Sequence, residues 1–166
     1  IEGCFYNVVG LPLHKLYRIL KELGLRPRRS LSQNFLTDLT TAKKIVGMVP
    51  KNPDFQLIEI GPGLGALTEL LIESHSVIAV ELDRLFANRL KEKLGALIPH
   101  KLTVLERDIL ECDLSKEPFS KKNIFVVGNL PYQISSQIIF WLLNNRKTVQ
   151  GALLMLQAEM ADRICA

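Results

Sequence analysis

Cysteine is scarce in this sequence, and what there is lies scattered. Cys4, Cys112 and Cys165 form an odd set with no CxxC pair and no Cys/His spacing. That argues against a disulfide framework and against a zinc site. A reducing, cytoplasmic setting fits such usage. Long apolar runs are missing as well. No stretch reaches the roughly 18 apolar residues that a membrane-spanning helix needs. Internal repeats and low-complexity tracts are absent. The chain starts at Ile1 with no basic segment ahead of its first apolar residues, which argues against a signal peptide. Residues 157–166, QAEMADRICA, read as a helix just begun, with no Gly, Asn or Pro to stop it. Both ends are therefore expected to be cuts in a longer chain.

What is present suits one folded domain. The chain has 166 residues, 48% of them hydrophobic and 23% charged. That is enough for a core and too apolar for disorder. The net charge is +4, and residues 1–30 carry all of it: six bases (Lys15, Arg18, Lys21, Arg26, Arg28, Arg29) against two acids (Glu2, Glu22). Residues 31–166 balance. A neutral domain behind a basic arm suggests a polyanion partner or a membrane surface.

Leu13, Leu16, Leu20 and Leu23 repeat at helical spacing between Pro12 and Gly24, which predicts one helix in the arm. The stretch 25–36 reads as irregular, and the arm is expected to span residues 1–36. The core is expected over 37–166. There Thr37 or Asp38 can cap a helix running to about Val49. Short apolar runs rich in β-branched residues then appear at Gln56–Ile60, Val77–Leu82, Leu102–Glu106, Ile124–Val127 and Ala152–Leu156. Helical patterns at Leu67–Ser74, Arg84–Leu97 and Ser135–Asn144 separate most of them. Five strands alternating with helices predict an α/β fold around a mainly parallel sheet. Ligands in such folds bind beyond the carboxyl ends of the strands.

The strand ends carry polar chemistry. The first ends in Glu59-Ile60-Gly61-Pro62-Gly63-Leu64-Gly65. Glycines there allow a tight turn and a close backbone approach to a ligand. The spacing is G-x-G-x-G, unlike the G-x-G-x-x-G of dinucleotide folds. Glu59 would repel a pyrophosphate but suits a cationic amino group. S-adenosylmethionine is therefore favoured over NAD. The second strand ends in Glu81-Leu82-Asp83, where Glu81 suits a ribose diol and Asp83 a helix cap. At the third, Asp108 suits an adenine amino group or is a solvated loop acid. The fourth ends in Gly128-Asn129-Leu130-Pro131-Tyr132. Pro131 stiffens this turn and holds Leu130 extended. An Asn amide and a carbonyl beside an aromatic ring suit an exocyclic amine on a flat base; the bland alternative is an ordinary Asn-x-Pro turn. The amine's lone pair is delocalised into its ring. Acceptors on its N–H groups favour the pyramidal geometry needed for attack.

Taken in order, Gln33-Asn34-Phe35-Leu36, Glu59-Ile60-Gly61-Pro62-Gly63, Glu81-Leu82-Asp83, Asp108, Asn129-Leu130-Pro131-Tyr132 and Gln157-x-Glu159 resemble the rRNA adenine N6,N6-dimethyltransferases, specifically the small-subunit branch. Ser32 and Gln133 depart from the commoner glycine and asparagine. The resemblance implies a class I S-adenosylmethionine-dependent (Rossmann-like) fold, here truncated after about five strands. The remaining strands and a small C-terminal helical domain would be absent. It implies dimethylation of two adjacent adenosines in the 3′-terminal hairpin of small-subunit rRNA, on an immature subunit, by a cytoplasmic monomer. Asn34, Leu36, Glu59, Gly61, Gly63, Glu81, Asp108 and Asn129 would form the cofactor site. Asn129, Leu130, Pro131 and Tyr132 would hold the target base, helped by Phe35. Arg26, Arg28 and Arg29 would meet RNA phosphates. No metal is called for, and His14, His75 and His100 have no partner spacing. The same residues leave two alternatives: a large-subunit rRNA adenine methylase of the macrolide-resistance type, or an assembly or mitochondrial transcription factor acting mainly by binding.

Overall fold

The computed structural model describes residues 38–95, 100–119 and 123–165. The arm helix expected before Gly24, and the arm boundary near residue 36, lie outside the described residues. The described part begins at Asp38, whose carboxylate accepts from the Thr40 and Thr41 N–H groups. That satisfies donors which a helix start leaves unpaired, and α1 follows over Leu39–Gly47.

The β-branched runs become β1 (Gln56–Ile60), β2 (Val77–Glu81), β3 (Leu102–Glu106), β4 (Ile124–Asn129) and β5 (Val149–Met155). They form one sheet in the order β3-β2-β1-β4-β5. All four neighbouring pairs are parallel. The helices between them are α2 (Thr68–Leu71), α3 (Arg84–Leu90), α4 (Ser135–Asn144) and α5 (Ala158–Cys165).

Alternation along the strands splits the core into two layers. Leu57, Val77, Ala79, Leu102 and Val127 face α1, α2 and α3, meeting Ala42, Ile45, Leu71, Leu90 and Leu94. Ile58, Ile60, Ile78, Val80, Ile124 and Val126 face the other way, onto Ile109, Phe119, Ile138 and Trp141. The central strands are covered on both faces, so β2 is buried throughout and β1 nearly so. The outer strands β3 and β5 are only partly buried.

Several boundaries differ from the sequence reading. The helix expected over Leu67–Ser74 is a single turn of four residues, Thr68–Leu71, and the chain leaves it at Ile72. The one expected over Arg84–Leu97 widens after Leu90 into a π-helical turn at Lys91–Gly95. β2 stops at Glu81, leaving Leu82 exposed. β4 runs on to Asn129, and β5 starts at Val149, because each pairs with the other beyond its apolar run. A short 3-10 turn, Ile109–Glu111, follows Asp108.

Candidate functional site

Chain order and sheet order part company at β1. The chain leaves β1 for β2 and β3 on one side, then returns to place β4 on the other. The crevice at such a switch point is where open α/β sheets receive ligands. The loops after β1 and β4 meet there.

The loop after β1 is set by backbone conformation. The Gly61 N–H donates to the Val80 carbonyl at 2.9 Å, extending the pairing one residue past the strand. Gly61, Gly63 and Gly65 have φ of 64°, 55° and 83°. At Gly63 the main-chain N–H faces Glu81 on β2, and the positive φ would strain a side chain there. Gly65 also packs closely against a neighbour. A Cβ at this position would lie 2.7 Å from Leu90 Cδ1, so the loop sits directly on α3.

Glu81 ends β2 against this loop. Its Oε2 accepts from the Gly63 N–H at 3.0 Å, and its Oε1 accepts from the Asp83 N–H at 2.9 Å. The residue is buried, which raises its pKa, while these N–H donors pull it down. A carboxylate offers about four acceptor sites, so two bonds leave capacity for a diol. Asp83 caps α3, its Oδ1 accepting from the Leu85 N–H at 2.9 Å. That is the capping role expected from sequence.

Glu59 lies one layer below, on the same face of the sheet. Ala79 and Val127 flank it in register, and it is 2% exposed. Its Oε2 accepts from the Thr68 hydroxyl at 2.7 Å. Burial pushes its carboxyl up to about 7, against the Thr68 bond and with a smaller push from Glu81. Glu59 thus stands under the loop rather than in its mouth. Thr68 was not legible as a site residue; a lone Thr at the start of an apolar helical turn, nine residues after a buried acid, is the only sequence signal.

Asp108 follows β3. Its Oδ1 accepts from the Leu110 N–H at 2.9 Å and caps the 3-10 turn. Its Oδ2 has no partner among the described residues. Across the switch point Asn129 closes β4 beside Met155. The Leu130 N–H donates to the Met155 carbonyl at 3.2 Å, and the Leu130 side chain is buried. Pro131 is extended (φ −60°, ψ 140°). Its carbonyl accepts from the Ile134 N–H at 3.2 Å and the Ser135 hydroxyl at 3.0 Å. None of these bonds uses the Leu130 carbonyl. Tyr132 starts a 3-10 turn, Tyr132–Ile134, that leads into α4; its side chain lies outside what is described. So do Arg26, Arg28, Arg29, Asn34, Phe35 and Leu36. The structure therefore brings Glu59, Gly61, Gly63, Glu81, Asp108, Asn129, Leu130 and Pro131 to one end of the sheet.

Known proteins share this fold. The family model described as ribosomal RNA adenine dimethylase matches residues 24–166. The chain is 41% identical over 152 residues to a ribosomal RNA small subunit methyltransferase A from Syntrophus aciditrophicus, covering 90% of this chain and 54% of that protein. Among solved structures, a 23S rRNA methyltransferase, ErmE, superposes with a TM-score of 0.68 at 32% identity, over 77% of this chain and 50% of that one. A dimethyladenosine transferase from Plasmodium falciparum gives 0.65 at 28% identity, over 80% and 46%. The chain spans about half the length of the relatives it matches.

The buried Glu59 carboxyl makes stability depend on pH. Its ordinary pKa is 4.5 and its folded value about 7, so between these values the folded state binds more protons than the unfolded one. Stability then falls as pH rises through that window and stays low above it. Glu59→Gln keeps an acceptor for Thr68 and removes the ionisation. In urea denaturation of the cofactor-free protein, this variant should be more stable than wild type at pH 8, by up to roughly 3 kcal/mol. The advantage should vanish near pH 4.5. A pH-independent difference would contradict the assignment.

Proposed function

The chain belongs to the ribosomal RNA adenine dimethylase family, and on that premise we propose that it supplies the cofactor-binding and catalytic part of a small-subunit rRNA methyltransferase. The reaction is transfer of methyl groups from S-adenosylmethionine to N6 of two adjacent adenosines in the 3′-terminal hairpin. The enzyme acts on the immature small subunit, as a monomer in the cytoplasm. No described helix is long and apolar enough to cross a membrane.

One observation carries this reading. The Glu81–Gly63 bond fixes a glycine loop on one side of the switch point, and the Leu130–Met155 bond fixes the Asn129-Leu130-Pro131 turn on the other. The first half fits the cofactor. Gly61 and Gly63 let main chain approach its amino-acid part, and the buried Glu59 favours a cationic amino group over a pyrophosphate. The acceptor sites left on Glu81 take the ribose hydroxyls. Asp108 Oδ2 takes the adenine amino group. Asn34 and Leu36 close the site from the arm. When bound, S-adenosylmethionine supplies a methyl group on a sulfonium centre, open to in-line attack.

The second half receives the target. The adenosine leaves its stack to reach the crevice. The Asn129 carboxamide oxygen and the Leu130 carbonyl accept from the two N–H groups of the amine and draw it toward a pyramidal geometry. Both bonds strengthen as positive charge builds on nitrogen. Tyr132 and Phe35 hold the ring. No strong base is needed before attack, because the amine becomes acidic once alkylated. Positioning supplies the main rate gain.

The resemblance to a 23S rRNA methyltransferase structure keeps the large-subunit substrate as the second reading. The 41% identity to a small-subunit enzyme, against 32% to that structure, favours the first. The full-length protein is incubated with labelled S-adenosylmethionine and undermethylated small subunits, in parallel with naked large-subunit rRNA. The product nucleoside is then identified by mass. Label in N6,N6-dimethyladenosine from the small subunit alone is expected. Label in large-subunit rRNA alone, or none at all, would overturn the proposal.

The arm has its own test. Replacing Arg26, Arg28 and Arg29 together by Ala should weaken RNA binding and cut its log–log salt slope by roughly two, while S-adenosylmethionine affinity holds. Unchanged RNA affinity at low salt would remove these residues from the RNA path.

A further inference from the structure

Gln157 sits at the carboxyl end of β5, next to the Asn129-Leu130-Pro131 turn. Parallel register sets Asn129 beside Met155, and the Leu130 N–H is held by the Met155 carbonyl at 3.2 Å. Gln157 follows two residues later. Its main chain is fixed, because its carbonyl accepts from the Ala161 N–H at 2.9 Å and so starts the first turn of α5. The residue is half-buried. Its carboxamide makes no hydrogen bond among the described residues. A half-buried carboxamide that makes no hydrogen bond among the described residues, on a main chain fixed two residues past the strand end that anchors the turn, is available to a ligand.

The chemistry of that ligand follows from what the turn already offers. Asn129 Oδ1 and the Leu130 carbonyl are acceptors, and they match the two N–H groups of an amine. They do nothing for the rest of the base. Once adenine leaves its stack, its Watson–Crick edge is exposed and must be bonded again. On that edge, next to the amine, is N1, an acceptor that needs a donor. Guanine presents the reverse pattern there, with an oxygen in place of the amine and an N–H at N1. Gln157 Nε2 is a donor placed two residues beyond the strand that anchors the turn.

We propose that Gln157 binds the target adenine by donating from Nε2 to N1, and so fixes the ring angle at which the amine meets the methyl group. This rests on the methyl-transfer reading of the same site. Gln157 is a substrate contact, distinct from the cofactor cradle on the β1 side.

The test uses the full-length protein and small subunits reconstituted with a ligated 3′-terminal hairpin. The target position carries adenosine, 1-deazaadenosine or 7-deazaadenosine. Wild type should lose about tenfold in kcat/KM on 1-deazaadenosine and nothing on 7-deazaadenosine. Gln157→Ala should lose a similar factor on adenosine and no more on 1-deazaadenosine. Its S-adenosylmethionine affinity and melting temperature should match wild type. Gln157→Glu, nearly isosteric but without the donor, should behave as Ala does, which guards against a folding defect in the truncated side chain. Losses that multiply in Gln157→Ala, a loss on 7-deazaadenosine instead, or wild-type rates in both variants would overturn the Gln157 assignment alone. Absence of transfer to adenosine by wild type would overturn the methyl-transfer reading, and Gln157 with it.

Discussion

The Glu81 carboxylate is the tie on which the site depends. It reaches back from the end of β2 to the Gly63 N–H and forward to the Asp83 N–H. Hydrogen bonds to a charged group contribute about 1.5–3 kcal/mol each, enough to offset part of the burial that raises its pKa. One carboxylate thereby fixes the glycine loop, orders the residue that caps α3, and still keeps acceptor capacity facing the crevice. The positive φ at Gly63 is the complementary feature, a conformation that an L side chain rarely adopts.

A polar row tops an apolar floor. Glu81 pairs in register with Glu106 on β3, and Asn129 with Met155 on β5. One layer down, on the same face, Val104, Ala79, Val127 and Leu153 are apolar, and Glu59 alone among them carries an ionisable group. Its burial places a proton-binding carboxyl near pH 7 beneath the loop. A cation arriving above would draw that proton off, because a nearby positive charge favours the ionised form. Thr68, fully buried and donating to Glu59, keeps the carboxyl in place in either state.

The strands were legible because parallel sheets bury both faces and so need unbroken β-branched runs. Their ends were less so. Asn129 reads as a turn residue, yet it belongs to β4 because Met155 pairs with it, and that partner is remote in sequence. The short α2 and the π-helical turn that follows α3 are likewise not announced by the local apolar pattern. Asp83 was readable as a cap because its bond is local. Glu81 and Gly63 were readable as candidates, but their bond to each other was not. Glu59 was placed near the cofactor by chemistry alone; its depth, and its partner Thr68, required the fold.

Titration calorimetry of the full-length protein tests the cradle most directly, with S-adenosylmethionine and NAD as ligands. Wild type and Glu81→Gln are compared. The account predicts saturable binding of S-adenosylmethionine, no binding of NAD, and at least about tenfold weaker S-adenosylmethionine binding in the variant, the loss expected for charged hydrogen bonds. Equal affinity in the two proteins, or a preference for NAD, would contradict it.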